Sequence, residues 1–172
     1  GNELVAIAHT PASPAFRAPA AGELMLALDG VRDPRNMGSL LRIADWFGVK
    51  RILCGHDCME LFNPKAVQST MGSLFRVEVR RGLNLVDELH QAQMLGTKLY
   101  IADADGRSVF GEPMSLPSIL VLGSESHGYS DALQNSGAEI ISIPRIGKAE
   151  SLNVAMAATA FCMELTRQRL PK

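Results

Sequence analysis

From residue 23 onward, short apolar segments alternate with stretches in which apolar residues recur every three or four positions. The apolar segments predict six β-strands, at residues 24–28, 51–54, 74–79, 98–102, 119–122 and 139–143. Several of these segments are apolar on both faces, which is typical of strands buried in a parallel sheet. The alternation therefore predicts an α/β domain with a mainly parallel sheet flanked by helices and joined by right-handed crossovers.

The segments between the strands predict five helices. Each begins at a residue that commonly caps a helix N-terminus, in chain order Asn36, Asn63, Asn84, Ser130 and Ser151. The first helix is expected to end at Gly48, and the last to run from about Ser151 to Arg169. Asn153 would then lie inside the last helix, where an asparagine side chain needs a hydrogen-bond partner of its own.

The composition is that of a globular chain. Of 172 residues, 47% are hydrophobic and 20% are charged, which excludes collagen-like, coiled-coil and disordered chains. No apolar run approaches the roughly 18 residues that a membrane-spanning helix needs, so we expect no membrane partner. The net charge of −1 gives no general attraction for nucleic acid, and binding to it would need a local basic patch or a region outside this chain.

The first 22 residues are rich in Pro and Ala, a pattern that disfavours regular secondary structure. We expect residues 1–22 to be a linker that follows a further region. Residues 23–172 are expected to form the folded domain, which is long enough to bury an ordinary core.

The three cysteines, Cys54, Cys58 and Cys162, are too few and odd in number for a disulfide framework. They favour a reducing compartment, and we expect the cytoplasm. The segment from Cys54 to Cys58 also contains His56, but its spacing is unlike that of a zinc site. We therefore expect no metal.

Three chemically unusual loops follow predicted strands. The first, residues 28–42, contains Asn36 and Arg42; the second, residues 122–128, contains Glu125; the third, residues 143–154, contains Ser151 and Asn153. In an open parallel sheet, ligands bind beyond the carboxyl ends of the strands. The loops are therefore candidates for the functional site.

Each loop also has a purely structural interpretation. Asn36 and Ser151 could serve only as helix N-caps, and Arg42 could be an exposed helical residue paired with Asp45. Glu125 could hydrogen bond to amides of its own loop. The second loop carries this acid where a phosphate-binding turn would carry none, so it favours a ligand with hydroxyl groups or a positive charge.

Taken together, the loops resemble the three motifs of the SpoU/TrmH family of RNA ribose methyltransferases, within the SPOUT superfamily. Asn36, Gly38 and Arg42 match N-x-G-x-x-x-R, and Gly123, Glu125 and Gly128 match G-x-E-x-x-G. The most specific motif, I-P-x-x-G-x-x-x-S-L-N-V, is matched by Ile143, Pro144, Gly147, Ser151, Leu152, Asn153 and Val154. The similarity extends from about residue 23 to the C-terminus.

The resemblance implies that the C-terminal part of the sheet is threaded into a deep trefoil knot, which connection rules alone would not predict. It implies S-adenosylmethionine as the cofactor and RNA, either tRNA or rRNA, as the substrate. The methyl group would go to a ribose 2′-oxygen. The resemblance also implies a homodimer with the active site at the subunit interface. The near-neutral charge and the N-terminal linker suggest that a preceding region helps to hold RNA.

By the same resemblance, the cofactor-binding residues are Leu122, Gly123, Ile143, Ser151 and Leu152. The catalytic set is Arg42, Asn36, Glu125, Ser151 and Asn153. Arg42 corresponds to the family's proposed base, although a guanidinium is nearly always charged in proteins. Arg42 either loses its proton when RNA docks, or stays cationic and stabilises the forming alkoxide while a phosphate oxygen takes the proton. We favour the second role.

Three alternatives stay open at this point. The chain could bind RNA without catalysis, although the retained Asn36, Arg42 and Glu125 argue against this. It could methylate a base nitrogen, but Asn36 and Arg42 fit the ribose-modifying group better. It could be a doubly wound nucleotide-binding module, but the turn after the first strand contains Asp29 and Asp33, where a phosphate cradle needs a glycine-rich turn.

Overall fold

The computed structural model describes residues 9, 12–111, 113–124 and 128–170. Within them, strands and α-helices alternate: β1 (Leu24–Leu28), α1 (Pro34–Trp46), β2 (Arg51–Gly55), α2 (Pro64–Ser69), β3 (Glu78–Leu83), α3 (Leu85–Met94), β4 (Lys98–Ser108), β5 (Ser118–Leu122), α4 (Asp131–Gln134), β6 (Glu139–Ser142) and α5 (Val154–Arg169). The strands lie in the order β3-β2-β1-β5-β4-β6, and each neighbouring pair is parallel. The predicted α/β domain with a mainly parallel sheet is confirmed. None of the described helices is both long and apolar enough to cross a membrane.

The core lies on both faces of the sheet, with β1 and β5 at its centre. All five residues of each of these strands are buried. Successive side chains of a strand point to opposite faces, so Leu26 packs in one apolar cluster and Met25 in the other. The first cluster includes buried residues of α1 and α5, and the second includes Leu89 of α3 and Leu133 of α4. Helices therefore cover both faces of the sheet.

The strand predicted at residues 74–79 is wrong. This part of the chain forms a short 3₁₀ turn, Ser73–Phe75, and β3 begins only at Glu78. Backbone hydrogen bonds from residues 75 to 77 close the turn, and Phe75 is left 87% exposed. Gly72 precedes the turn with a φ of 86°, a conformation that favours glycine. The apolar pair at 74 and 75 thus belongs to a turn, and the edge strand β3 is built from more polar residues.

The other predicted strands agree with the structure to within one residue, except that β4 continues beyond Ala102 to Ser108. The pairing of β4 with β6 is irregular between Ala102 and Arg107, so that Ile141 of β6 pairs with both of these residues. Gly106 permits this close approach, because a Cβ there would lie 2.6 Å from the Ile141 nitrogen. Asp103, which lies in this irregular part of β4, lines the cavity described below.

Helix α1 begins earlier than predicted, because its N-cap is Asp33. The Asp33 Oδ1 accepts hydrogen bonds from the amides of Arg35 (2.6 Å) and Asn36 (3.1 Å). Pro34 occupies the first helical position, where the absence of an N–H has no cost. The prediction that Asn36 caps the helix is therefore wrong, and Asn36 lies within the first turn.

Helix α5 begins later than predicted, because its N-cap is Asn153 and not Ser151. The Asn153 Oδ1 accepts hydrogen bonds from the amides of Ala155 (3.0 Å) and Met156 (3.4 Å). Asn153 is therefore not an interior helical residue, and its side chain has hydrogen-bond partners at the helix N-terminus. The three helices between α1 and α5 begin as predicted, after Asn63, Asn84 and Ser130.

Residues 12–22 of the Pro/Ala-rich segment form no helix or strand, but they contact the edge of the sheet. The carbonyl oxygen of Pro14 accepts a hydrogen bond from Arg80 Nε (2.9 Å), and the Arg80 guanidinium lies 5.4 Å from the centre of the Phe16 ring. Arg17 forms a 2.9 Å salt bridge with Glu78. This segment therefore lies against β3, the strand at the sheet edge.

Gly38 determines how closely α1 and α2 pack. A Cβ at Gly38 would lie 1.8 Å from the Ser69 Oγ and 2.8 Å from the Ser69 carbonyl carbon. The Ser69 hydroxyl is itself held, because it lies 3.0 Å from the Pro34 carbonyl oxygen and 2.8 Å from that of Ala66. An added methyl group at Gly38 must therefore push the two helices apart.

We expect Gly38→Ala to lower the free energy of unfolding by about 1–3 kcal/mol, the usual cost of overpacking, despite the better helix propensity of alanine. Urea denaturation followed by circular dichroism measures the change. Ser39→Ala, at the next position of the same helix, should alter stability by less than about 0.5 kcal/mol. Adding Ser69→Gly to Gly38→Ala should recover part of the loss, and an unchanged stability in Gly38→Ala would contradict the close packing.

Candidate active site at the carboxyl edge of the sheet

The second and third loops line a cavity of about 370 Å³ at the carboxyl ends of β5 and β6, beside residues 102–104 of β4. All five residues predicted to bind a cofactor line this cavity: Leu122, Gly123, Ile143, Ser151 and Leu152. The structure thus brings together residues from two separate motifs. We call this space the first cavity.

The first cavity has both apolar and polar walls. Helix α5 contributes Val154, Ala157 and Phe161, while Asp103 of β4 and Glu150 of the third loop add carboxylates. Cofactor pockets are mostly apolar, with a few polar groups that fix orientation. Such a cavity suits a ligand that has both an apolar part and a positively charged group. Neither Asp103 nor Glu150 belongs to a motif, and their position was visible only in the fold.

The second loop folds back on itself at the wall of the first cavity. The amides of Ser124 and Gly128 each donate to the other residue's carbonyl oxygen, over 2.8 and 2.9 Å. Gly123 must be glycine because a Cβ there would lie 2.3 Å from the Gly128 carbonyl carbon. Glu125, predicted to hold this loop in shape, falls within residues 125–127 and so lies outside the described residues.

Asn36 and Asn153 join the first loop to the third. The Asn153 Nδ2 donates a hydrogen bond of 3.0 Å to the Asn36 Oδ1, across 117 positions of sequence. Asn153 at the same time caps α5 through its Oδ1. One side chain therefore orients both a helix and the neighbouring motif, which explains why an asparagine serves at position 153.

A second cavity of about 660 Å³ adjoins the first, and the two share Ser124, Gly128 and Val154 in their walls. Asn36 lines the second cavity. So does Asp29, whose Oδ2 accepts a 2.7 Å hydrogen bond from the Ser130 amide and so ties the first loop to the segment after the second. Asp29 was not among the predicted site residues. Its position directly after a buried strand, where ligands commonly bind, could have indicated it.

Among the described residues that line the two cavities, Arg42 is absent. It lies exposed on α1, and no hydrogen bond or ion pair joins it to another described residue. The alternative interpretation, in which Arg42 pairs with Asp45, is wrong, because the Asp45 Oδ2 instead accepts hydrogen bonds from Arg76 Nε (2.8 Å) and Ser73 Oγ (2.7 Å). These two bonds lower the pKa of Asp45, so it stays ionised and bound to Arg76.

Within the described part of the chain, no three His, Cys, Asp or Glu side chains are grouped so as to hold a metal ion. Cys54, Cys58 and Cys162 are free thiols. Burial raises the pKa of Cys162 to about 12, so this thiol stays protonated in the core.

The sequence matches the SpoU rRNA Methylase family over residues 23–163. It is 33% identical to a 23S rRNA (uridine(2479)-2'-O)-methyltransferase of Streptomyces viridochromogenes, over 98% of this chain and 61% of that protein. It is also 33% identical to the 23S rRNA (guanosine(2553)-2'-O)-methyltransferase RlmP of Bacillus subtilis, over 95% of this chain and 64% of that protein. The chain spans about half to two thirds of the length of the curated relatives it matches.

Solved structures agree with this match. The fold superposes with a TM-score of 0.83 on the SpoU methyltransferase AviRb of Streptomyces viridochromogenes in complex with the cofactor AdoMet, at 33% identity, over 92% of this chain and 66% of that one. An AdoMet-bound rRNA methyltransferase of Sinorhizobium meliloti gives a TM-score of 0.79 at 30% identity, over 90% and 60% of the two chains. The three motifs, the parallel sheet that brings them to one edge, and the match over residues 23–163 together establish that the chain belongs to the SpoU rRNA Methylase family.

Proposed function

We propose that the chain is the catalytic domain of an S-adenosylmethionine-dependent methyltransferase that modifies a ribose 2′-oxygen in RNA, either tRNA or rRNA. The observation that carries this proposal is the first cavity, which is lined by all five residues expected to bind the cofactor. Relatives named as 23S rRNA 2'-O-methyltransferases and an AdoMet-bound structure of similar fold support the same activity.

The walls of the first cavity fit S-adenosylmethionine. This cofactor carries its methyl group on a sulfonium, so the neutral thioether can leave without help from a metal. Gly123, Ile143 and Leu152 are proposed to line the adenosine pocket through backbone groups and apolar contact. Leu122 is proposed as a further cofactor-binding residue. The Ser151 hydroxyl is proposed to bind the polar end of the cofactor or the nucleotide.

A ribose 2′-hydroxyl is a poor nucleophile near neutral pH, so its proton must be removed or its developing charge stabilised. Arg42 is proposed to remain a cation and stabilise the forming alkoxide, while a phosphate oxygen of the RNA takes the proton. Asn36 and Asn153 brace the first and third loops through their hydrogen bond. Ser151 is proposed to orient the nucleotide, and Glu125 to hold the second loop.

We further infer a homodimer in which the partner subunit's Arg42 completes each site. This inference is supported by the exposed position of Arg42 on α1, outside both cavities as the described residues line them. Helices α1 and α5 pack together and expose large apolar side chains, including Trp46 (83% exposed), Met156 (66%) and Met163 (60%). Exposed apolar residues of this size suit a self-complementary interface.

We also propose that the segment after β6 and helix α5 are threaded into a deep trefoil knot. The support for this proposal is the membership of the chain in the SpoU rRNA Methylase family, from whose motifs the knot is inferred. Residues 23–172 are proposed as the methyltransferase domain, with residues 1–22 as a linker, and the family match over 23–163 is consistent with this division. The cytoplasm is proposed as the compartment because the three cysteines are free thiols.

Transfer of a radiolabelled methyl group from S-adenosylmethionine to bulk RNA tests the proposed function. After the RNA is digested to nucleosides, mass spectrometry should find the label in a 2′-O-methyl ribose. Label on a base nitrogen would show a different methyltransferase activity. Binding of RNA with no transfer at all would identify a family member without catalysis, and either result would overturn the proposal.

A further inference from the structure

Cys54 and Cys58 bracket a tight turn beside the candidate active site. Cys54 lies in β2, and the Cys58 amide donates a hydrogen bond of 3.1 Å to the Gly55 carbonyl oxygen. The turn brings both side chains into the same apolar cluster, and Leu28, whose carbonyl oxygen the Cys58 Sγ contacts, is the β1 residue in register with Cys54. Cys54 is buried at 3% exposure, whereas Cys58 is partly exposed. Reagents in solution therefore reach the pair through Cys58.

The Cys58 thiol also contacts the first loop. Its Sγ donates to the Leu28 carbonyl oxygen over 3.1 Å, and the backbone amides of Val31 and Gly30 act to lower its pKa. The Met59 amide donates to the Val31 carbonyl oxygen (3.0 Å), which ties the turn and the loop together a second time. Gly30 and Val31 line the second cavity. A chemical change at Cys58 would therefore act on a wall of the site.

We propose that Cys54 and Cys58 are a modification site, at which hydrogen peroxide converts the two thiols into a reversible disulfide. The Cys58 thiolate attacks one peroxide oxygen, an S–O bond forms, the O–O bond breaks, and the released hydroxide takes up a proton as water. The Cys54 sulfur then attacks the Cys58 sulfenic acid. An S–S bond forms, the S–O bond breaks, and the leaving hydroxide takes the Cys54 proton as a second water.

The two thiols differ in the way this order requires. The neighbouring Cys54 side chain lowers the pKa of Cys58 and, with help from the Val31 and Gly30 amides, outweighs the opposing effects of burial and of the Asp29 carboxylate. The Cys58 side chain, together with burial, raises the pKa of Cys54 well above its ordinary value. Because the thiolate is the nucleophilic form, Cys58 reacts first and Cys54 resolves the sulfenic acid.

The disulfide would also change the structure around the first loop. A disulfide sulfur carries no hydrogen, so oxidised Cys58 can no longer donate to the Leu28 carbonyl oxygen. Leu28 is the last residue of β1, and Asp29 directly after it lines the second cavity. The modification therefore removes one of the contacts that hold this wall.

The test treats the folded chain briefly with hydrogen peroxide, alkylates the remaining thiols in denaturant, and maps the tryptic peptides by mass. Residues 52–65 form one tryptic peptide that contains both Cys54 and Cys58. This peptide should lose about 2 Da and escape alkylation, and dithiothreitol should restore both thiols. Cys162, which is buried at 1% exposure in α5, is the internal control and should remain alkylatable.

Single substitutions check the proposed order. Cys58→Ser should leave Cys54 as a thiol, and Cys54→Ser should stop the reaction at a Cys58 sulfenic acid that dimedone traps. Cys162→Ser should form the disulfide as the wild-type chain does. A peptide 52–65 that stays fully alkylatable would overturn the proposal, as would direct oxidation of Cys58 to a sulfinic acid while Cys54 remains free.

Discussion

A heterodimer of one Arg42→Ala chain and one Gly123→Val chain should recover about half of the wild-type methyl-transfer activity, although each homodimer is inactive. The physical reason is that Arg42 is not among the described residues that line the two cavities of its own chain. If the cation comes from the partner, one of the two sites in the heterodimer has both an intact first cavity and an arginine. Coexpression with two affinity tags, followed by purification through both, provides the heterodimer for assay.

A reciprocal heterodimer is the matched control. It pairs a wild-type chain with a chain that carries both Arg42→Ala and Gly123→Val. This control should be inactive when the partner supplies Arg42, and about half active when each chain uses its own. Activity in the control combined with none in the first heterodimer would place Arg42 in the site of its own chain.

The Arg42→Ala variant should still bind S-adenosylmethionine while it loses turnover, because Arg42 does not line the first cavity. Arg42→Lys separates the two possible roles. A lysine keeps the positive charge, so measurable activity is expected if Arg42 stabilises the alkoxide, although lysine lacks the planar fork of the guanidinium. Full activity in Arg42→Ala would contradict both roles and place the chemistry elsewhere.

Gly123→Val should abolish binding of S-adenosylmethionine. A Cβ at Gly123 would lie 2.3 Å from the Gly128 carbonyl carbon and 2.4 Å from the Tyr129 nitrogen. Backbone atoms in a packed site cannot absorb such an overlap by a side-chain rotation. The loop must therefore open, which breaks the paired hydrogen bonds of Ser124 and Gly128 and distorts the wall of the first cavity. Isothermal titration calorimetry measures the affinity.

Gly111→Ala is the control for Gly123→Val, because a Cβ there would lie 3.5 Å from the nearest heavy atom, an ordinary contact. Circular dichroism shows whether each variant is folded. Leu152→Arg provides a second test, since Leu152 is 49% exposed and a long cation there would block the first cavity with little effect on the core. Wild-type affinity in a folded Gly123→Val or Leu152→Arg chain would contradict the proposed cofactor site.

The order of strands and helices could be predicted because it depends on local patterns. Buried segments such as β1 and β5 are apolar on both faces, and residues that cap helices stand at the start of α2, α3 and α4. The start of β3 could not be predicted in the same way. There the apolar pair Leu74 and Phe75 lies in a turn, because Gly72 adopts a positive φ and Ser73 hydrogen bonds to Asp45 of α1.

The α/β class and the three loops that follow strands could be read from the sequence, because each is encoded within a short stretch of chain, and the resemblance of those loops to family motifs implied the cofactor-binding residues. Which residues meet in space depends on the fold. The Asn36–Asn153 hydrogen bond joins residues 117 positions apart, and Asp45 pairs with Arg76 of a distant turn, not with Arg42 of its own helix. Such pairings depend on how the sheet orders its strands and how closely the helices pack, and local sequence does not contain those distances.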